Sequence, residues 1–263
     1  SVARLEQLSP ALLELGCPAR VYIPLEEVSR LESLPGEGPE WCAVLPRVWR
    51  DRDEPALRTL LERARALGFT GVLIGNLGHL PLVRGLNFHL YGDYGLNVFN
   101  SRSLAYLKDK ELESACVSFE LRFAQIRDLK KVLRAEAIVY GRLPLMITEN
   151  CLVQNETGCR LDRQGPCVPE DGPCRCGQPN VLVDRTGAAF PLLPAYGHRT
   201  EIQNSKPLYL ADRPEHRRLG LAYARLRFTT ETAEECVSVV QNYLDAAPAA
   251  GDFTRGLYER GVE

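Results

Sequence analysis

The sequence predicts an α/β protein built on a TIM-like (β/α) barrel, complete or partial, with a Cys-rich loop and a small C-terminal β-rich region. Two patterns support this prediction. Short β-rich runs alternate with helical patterns through the first 150 residues, as in parallel sheets whose faces are covered by helices. Five of the nine cysteines then fall within 26 residues, in a segment with few aliphatic side chains. A doubly wound sheet is the competing layout.

The first half of the chain contains six runs that predict β-strands, at 20–25, 41–48, 70–76, 87–92, 115–120 and 136–141. Helices are predicted at 53–67 and 121–133, because leucines there recur at helical spacing. In the first of these helices, Asp53 is the expected N-cap and Pro55 lies in the first turn. The alternation of strand and helix is the basis of the barrel prediction.

The second half changes in character after the cysteines. Residues 181–193 predict a β-hairpin around Thr186-Gly187, and strands follow at 207–212 and 223–229. A final helix is expected at about 231–245. We therefore divide the chain into a barrel portion at 1–146, a Cys-rich metal-binding loop at 147–180, and a part at 181–263 that completes the barrel or packs on it.

Composition and charge are those of an ordinary globular protein, with 45% hydrophobic and 25% charged residues and a net charge of −2. Such a charge gives no general attraction to nucleic acid or anionic membrane, although residues 199–227 hold seven Lys or Arg against three Asp or Glu. No apolar run reaches the length of a membrane span, and the first residues lack secretory-signal features. We expect a cytoplasmic protein without membrane association. Since residue 1 is not methionine, we expect a processed chain or a piece of a longer protein.

Polar residues follow several predicted strands, where parallel barrels place their functional groups. The candidates for substrate binding are Asn76, Asp93 and Asn97, and Glu120 is the candidate for catalysis. Tyr140 and Arg142 follow at the next strand end. An alternative for Asn97, and for Asn100 and Ser101, is that they cap the helix beginning near residue 102. The histidines show no metal-binding or catalytic spacing, and the sequence contains no GxSxG, P-loop or GxGxxG motif.

The cysteine cluster predicts a metal site. Thiolates favour zinc or an iron–sulfur cluster, and the candidate ligands are Cys151, Cys159, Cys174 and Cys176, with Cys167 undecided. The spacing matches no compact zinc template, so reduced surface thiols or one or two disulfides remain as alternatives. The other four cysteines lie in apolar stretches of the sequence and are expected in the core: Cys17, Cys42, Cys116 and Cys236.

From about residue 40 onward the chain resembles the collagenase-like peptidases of unassigned catalytic type, and in particular the C-terminal half of a long clostridial-type member. The stretches that carry the resemblance are GVLIGNLG, GDYGLNVFNS, SFELRFAQI, EAIVYGRLPLM followed by ENC, VLVDRTGAAFP and FTRGLYERG. Within the family signature, Glu136, Gly141 and Cys151 match. Tyr140 stands at the position of the family histidine and Pro144 at that of its first cysteine.

This resemblance implies a TIM-like barrel and two kinds of activity: proteolysis of collagen, and cofactor-assisted hydroxylation of RNA bases or of a quinone precursor. The missing histidine and cysteine put the four-cysteine iron–sulfur site of some relatives in question. The sequence shows no Ser/Cys–His pairing for proteolysis, so we favour metal- or Fe–S-dependent RNA-base hydroxylation, or support of it. A metal-assisted endopeptidase is one alternative. The other is a catalytically silent copy packed on an active N-terminal half.

The hydroxylase hypothesis assigns a role to each candidate residue. Glu120 and Glu136, together with Tyr140, would position the substrate or move protons. Three arginines, Arg142, Arg185 and Arg255, would hold an anionic group of the substrate. Their alternative role is to form ordinary ion pairs within the protein. The expected partners are the N-terminal part of the same full-length protein and an RNA or peptide substrate.

Overall fold

The computed structural model of the chain describes residues 1–16, 18–157, 175 and 178–261. These residues form two compact units. The first unit joins Ser1–Gly141 to Leu208–Glu263, and the second is Arg142–Pro207. The three-part division inferred from the sequence stays a prediction, because most of its middle part lies outside the described residues.

Twelve strands are present among the described residues. They are β1 (Arg20–Pro24), β2 (Glu40–Val44), β3 (Gly71–Ile74), β4 (His89–Gly92), β5 (Leu112–Cys116), β6 (Arg134–Gly141), β7 (Pro144–Thr148), β8 (Asn180–Val183), β9 (Ala189–Ala195), β10 (Arg199–Gln203), β11 (Leu208–Tyr209) and β12 (Tyr223–Leu226). Five of the six runs predicted in the first half coincide with strands, which confirms them as strand signals, whereas the run at 115–120 shares only its first two residues with β5 (Leu112–Cys116).

Eight α-helices accompany these strands in the described ranges. They are α1 (Pro10–Glu14), α2 (Leu25–Val28), α3 (Glu54–Ala66), α4 (His79–Val83), α5 (Ser101–Asp109), α6 (Phe123–Asp128), α7 (Leu152–Thr157) and α8 (Ala233–Leu244). Helices α3 and α8 confirm the predictions at 53–67 and 231–245. Helix α6 is shorter than the predicted 121–133.

Two capping predictions have different outcomes. Asn100 caps α5, since its side chain accepts hydrogen bonds from the backbone N–H groups of Arg102 and Ser103. Asp53 precedes α3 but makes no side-chain capping bond to it. Its carboxylate instead accepts the N–H of Arg50 at 2.8 Å, because a short 3₁₀ turn at Asp51–Asp53 leads directly into the helix. The cap prediction for Asp53 was therefore wrong.

The first unit contains a curled parallel sheet that resembles half of a barrel. Strands β1 to β6 pair in sequence order and all in parallel, and β12 pairs in parallel with β6 while β11 pairs antiparallel with its end. The N–H of Val2 donates to the carbonyl of Tyr22 in β1, and the N–H of Phe228 donates to the carbonyl of Ser1. The first residues thus connect the two ends of this sheet. The described strands establish the curled half-barrel; they do not establish the complete TIM barrel.

The interior of this sheet is packed with side chains of several strands. Tyr22, Cys42, Leu73 and Tyr91 form one buried cluster, as expected for strands covered on both faces. Cys116 and Cys236 are also fully buried. The prediction of core positions is therefore confirmed for three of the four cysteines. Cys17 lies outside the described residues.

The second unit contains a four-stranded antiparallel sheet in the order β7-β10-β9-β8. Strands β8 and β9 form the hairpin predicted around Thr186-Gly187, and Gly187 has the positive φ of +84° that its turn requires. Arg199 of β10 is buried and forms an ion pair with Glu149. None of the helices in the described ranges combines the length and hydrophobicity needed to cross a membrane.

Candidate functional site at the C-terminal edge of the parallel sheet

The C-terminal ends of the parallel strands carry a group of polar residues in the first unit. Arg47 follows β2, Asn76 follows β3, Asp93 and Tyr94 follow β4, and Arg227 follows β12. Ligands of open parallel sheets and barrels bind at this edge because the loops there converge. We describe the site from these residues.

Two arginines approach one tyrosine ring at this edge. The guanidinium carbon of Arg47 lies 5.0 Å from the ring centroid of Tyr94, and that of Arg227 lies 5.8 Å from it. Arg47 Nη1 also lies 3.4 Å from Tyr94 Oη. We call Arg47, Tyr94 and Arg227 the guanidinium cluster. An aromatic ring can hold guanidinium groups in place while they remain charged, and Arg47, Tyr94 and Arg227 each make further contacts besides these.

The loops that carry the guanidinium cluster are fixed by a buried histidine. His79 is fully buried, its Nδ1 accepts the N–H of Gly75 at 3.2 Å, and its Nε2 lies 3.1 Å from the carbonyl oxygen of Pro46. Asn76 Nδ2 donates to the carbonyl of Arg47 at 3.0 Å. Burial lowers the pKa of His79 to about 4, so the neutral imidazole donates to Pro46 at neutral pH. His79 is a structural link between the loops after β2 and β3.

Directly below this edge lies a buried ionic triad of Asp93, Arg225 and Glu136. Arg225 Nη1 donates to Asp93 Oδ1 at 2.5 Å, and Arg225 Nη2 forms an ion pair with Glu136. The side chain of Arg225 is 3% exposed, that of Asp93 is 6% exposed and that of Glu136 is 5% exposed. Burial opposes the charge on Arg225, but the two carboxylates raise its pKa well above its usual value. The guanidinium is therefore charged, and it holds both carboxylates in fixed positions.

The triad continues into the interior through hydrogen bonds. Tyr22 Oη donates to Glu136 Oε2 at 3.1 Å, and Arg20 donates to Tyr22 Oη at 3.0 Å and to Glu40 at 2.9 Å. Tyr91 Oη donates to the other oxygen of Glu40 at 2.5 Å. Burial raises the pKa of Tyr22 well above its usual value, so this phenol keeps its proton. The interior thus contains three carboxylates and two guanidinium groups joined in one network.

The carboxylate of Asp93 is only partly used by this network. Its Oδ1 accepts both the Arg225 bond and the N–H of Tyr94 at 2.8 Å. No hydrogen bond to its Oδ2 is found among the described residues, and this oxygen is not one of the buried polar atoms that lack a partner, so solvent reaches it. Asp93 Oδ2 is therefore available to a hydrogen-bond donor that reaches the edge of the sheet.

The structure brings some predicted site residues together. Asn76 and Asp93 both lie at the edge beside the guanidinium cluster, and Glu136 belongs to the buried triad. Glu120 follows β5 and is half-buried, and its backbone N–H donates to Ser118 Oγ at 3.3 Å. Asn97 is exposed and ends the short 3₁₀ turn after Asp93, with a left-handed φ of 51°.

Other predicted residues lie elsewhere. Tyr140 is buried among the rings of Tyr209, Phe228 and Tyr243, and its hydroxyl donates to Glu231 at 3.1 Å. In the second unit, the guanidinium of Arg142 donates to the carbonyl oxygens of Asn204 and Ser205, and Arg185 is exposed in the turn between β8 and β9. Arg255 forms a bidentate ion pair with Asp212 at 2.6 and 2.8 Å. The contacts of Tyr140 and Arg255 are those of structural residues.

The metal-site prediction can be compared with the structure only in part. Cys151 is half-buried and not in a disulfide, whereas Cys159, Cys167, Cys174 and Cys176 lie outside the described residues. Within the described ranges, no three His, Cys, Asp or Glu side chains are grouped to hold a metal ion. Zinc or iron–sulfur binding therefore stays a prediction, and we assign no chemical step to it.

Four important residues were not singled out from the sequence: Arg47, Tyr94, Arg225 and Arg227. Arg225 and Tyr223 alternate along β12, and alternate residues of a strand face the same side, so charges at 225 and 227 could have been recognised as inward or edge positions. Glu26 was also missed. It follows β1, and burial raises its pKa to about 7, within the range of general acids and bases.

The fold and site define a class of α/β protein with a curled parallel sheet and a charged, polar C-terminal edge. Comparison with family models is more specific, because the model described as Peptidase family U32 matches residues 34–180. The match covers more than half of the chain, and the chain belongs to peptidase family U32. This confirms the resemblance seen in the sequence. No curated protein matches the chain.

Proposed function

We propose that this domain binds a phosphorylated nucleoside within RNA and serves RNA-base modification, of the hydroxylation type, rather than proteolysis. The single observation that supports this proposal most is the guanidinium cluster at the C-terminal edge of the sheet. Arginine is the side chain best suited to phosphate recognition. Asp93 is the residue before Tyr94, and since its Oδ1 accepts the N–H of Tyr94, its Oδ2 would be the oxygen that accepts a hydrogen bond from a polar group of the ligand.

Three buried cysteines and the buried histidine support a non-proteolytic role. Cys42, Cys116 and Cys236 are buried, and burial raises the pKa of each thiol, that of Cys236 to about 12. A nucleophilic cysteine requires the opposite shift. His79 has both ring nitrogens in contact with backbone groups and a lowered pKa. None of these four side chains has the environment of a catalytic nucleophile or its general base.

In the proposed reaction, the described residues bind and orient the substrate. Arg47 and Arg227 would contact a phosphate, while Asp93 would accept a hydrogen bond. The oxygen donor and the redox groups of a hydroxylation lie outside what these residues can supply. We propose that an iron–sulfur cluster on the cysteine loop, or the N-terminal part of the full-length protein, would supply the redox group, and that an external oxygen donor would supply the oxygen atom. A zinc ion, which has no redox chemistry, would instead be structural. The protein would act in the cytoplasm.

One observation favours a second candidate, a catalytically silent copy that supports an active half. Tyr140 stands at the position of the family histidine, and the structure places it in a buried aromatic cluster bound to Glu231. A buried phenol of this kind, with a pKa raised by burial, cannot replace a histidine as acid or base near neutral pH. This candidate retains RNA binding at the guanidinium cluster without chemistry in this unit.

Complementation of a strain deleted for the full-length gene tests the proposal. Modified nucleosides of total RNA are mapped by mass spectrometry, and a hydroxylated base should disappear on deletion and return with the wild-type gene. The gene carrying Arg47→Ala and Arg227→Ala together should restore much less of it. Arg127→Ala is the control, because Arg127 is 65% exposed and, in the part of the chain that the structure describes, its ion pair is with its neighbour Asp128. An unchanged nucleoside profile combined with gelatin cleavage by the purified protein would refute the proposal and favour the endopeptidase.

A further inference from the structure

We propose that Asp93 is a specificity-determining residue that accepts a hydrogen bond from an N–H donor on the base edge of the nucleotide, and that Arg225 is its positioning residue. This inference rests on the proposed function and adds which part of the ligand Asp93 recognises, namely the base edge. The carboxylate is 94% buried, and one of its two oxygens is held by two donors while the other has no partner among the residues described.

The geometry fixes which oxygen faces the ligand. Arg225 and the N–H of Tyr94 both bind Oδ1, so the carboxylate cannot rotate without losing two hydrogen bonds, one of them charge-assisted. Oδ2 is consequently the atom that remains for a ligand. Because Tyr94 is the next residue and carries the guanidinium cluster, a ligand whose phosphate contacts this cluster would bring its other groups near Oδ2.

The charge of the network favours a donor and not an anion at this point. Arg225 is shared by Asp93 and Glu136, and Arg20 is paired with Glu40, so this network of described residues has one carboxylate more than it has guanidinium groups. A second anion next to Oδ2 would be repelled, whereas an N–H donor would be attracted. Amino and imino groups of nucleobases are such donors. Phosphate and base are thus recognised by different residues.

Asp93→Asn is the sharpest test, since it retains the shape and reverses the polarity of one atom. The amide oxygen remains bound to Arg225 and the N–H of Tyr94, so the NH2 group takes the place of Oδ2 and becomes a donor. Binding of cytidine 5′-monophosphate, ribose 5-phosphate and inorganic phosphate to the 263-residue chain is measured by NMR titration. The variant should weaken the nucleotide by about tenfold or more and leave the two base-free ligands within about twofold.

Two further variants separate recognition from folding. Glu40→Gln removes a carboxylate of the same interior network at the other end of the strands, and it should leave all three affinities unchanged. Arg225→Lys retains the charge but cannot hold two carboxylates in a planar fork, and it should weaken the nucleotide selectively, as Asp93→Asn does. If Arg225→Lys does not fold, the comparison of Asp93→Asn with Glu40→Gln decides alone.

The outcomes distinguish the two proposals. If none of the three ligands binds the wild-type chain, the proposed function fails and this inference fails with it. If the nucleotide binds but Asp93→Asn leaves its affinity unchanged, only the inference is refuted. Equal weakening of nucleotide, ribose 5-phosphate and inorganic phosphate would also refute it, because Asp93 would then act on the site as a whole. Selective loss of the nucleotide alone supports it.

Discussion

Removing Arg225 should destabilise the first unit severely, and the magnitude follows from its surroundings. Arg225 is 3% exposed and contacts two carboxylates that are 6% and 5% exposed. Arg225→Met would leave Asp93 and Glu136 buried without their counter-charge. Removal of one partner from a buried ion pair costs about 3–5 kcal/mol. Because two carboxylates lose their partner here, we expect the upper part of that range.

Urea denaturation followed by circular dichroism measures this loss as the change in free energy of unfolding. The triple variant with Asp93→Asn and Glu136→Gln added to Arg225→Met should recover about half of the loss or more, because neutral amides are less costly to bury than unpaired carboxylates. Arg127→Ala breaks an exposed pair and should change stability by less than about 0.5 kcal/mol. A loss below about 1 kcal/mol for Arg225→Met, or a triple variant less stable than Arg225→Met, would refute the account of the triad.

Three more predictions concern stability. Burial lowers the pKa of His79 to about 4, so as the pH falls the unfolded state binds a proton before the folded state does. The unfolding free energy of the wild type should therefore fall by up to about 3 kcal/mol between pH 6.5 and pH 4. Urea titrations of His79→Gln should show a shallower fall. Burial raises the pKa of Glu26 to about 7, so ionisation of this carboxyl group opposes folding as the pH rises from 4.5 to 7. Glu26→Gln should therefore raise the unfolding free energy above pH 7 by roughly 1–2 kcal/mol. Gly141 has φ +117° and an added Cβ would lie 2.0 Å from the Arg227 carbonyl oxygen, so Gly141→Ala should cost about 3 kcal/mol or more in thermal denaturation.

Controls for these predictions come from the same chain. Gly85 has φ +79° with nothing within 4 Å of an added Cβ, so Gly85→Ala should cost only about 1 kcal/mol. An equal loss for both glycine variants would mean that contact with Arg227 is unimportant. The pH predictions have opposite signs, so identical pH profiles for wild type, His79→Gln and Glu26→Gln would contradict both.

Local patterns in the sequence account for most of the secondary structure. The runs at 20–25 and 70–76 became β1 and β3 because β-branched and aromatic side chains suit a strand buried on both faces. Asn100 was recognisable as a cap because its side chain acts on the next few residues. Asp53 has the same chemistry but failed as a cap, since the preceding 3₁₀ turn offered a different N–H.

The site was less accessible to sequence reasoning because it depends on distant pairing. Asp93 and Arg225 are separated by 132 residues and meet only because β12 pairs with β6. Asp93 could be proposed from its place at a strand end, but its partner could not. Tyr140 was proposed for the same reason, and the packing of three aromatic rings around it became visible only in the folded chain.

The central claim, that the guanidinium cluster binds phosphate, is tested most directly by the salt dependence of RNA binding. Affinity of the chain for a short single-stranded RNA is measured by fluorescence anisotropy from 50 to 200 mM salt. On a single strand, each arginine that contacts a phosphate contributes about 0.7 to the magnitude of the slope of log K against log salt concentration. The account predicts that Arg47→Ala with Arg227→Ala lowers the magnitude of this slope by about 1.4, while Arg127→Ala leaves it unchanged. Equal slopes for all three proteins would contradict it.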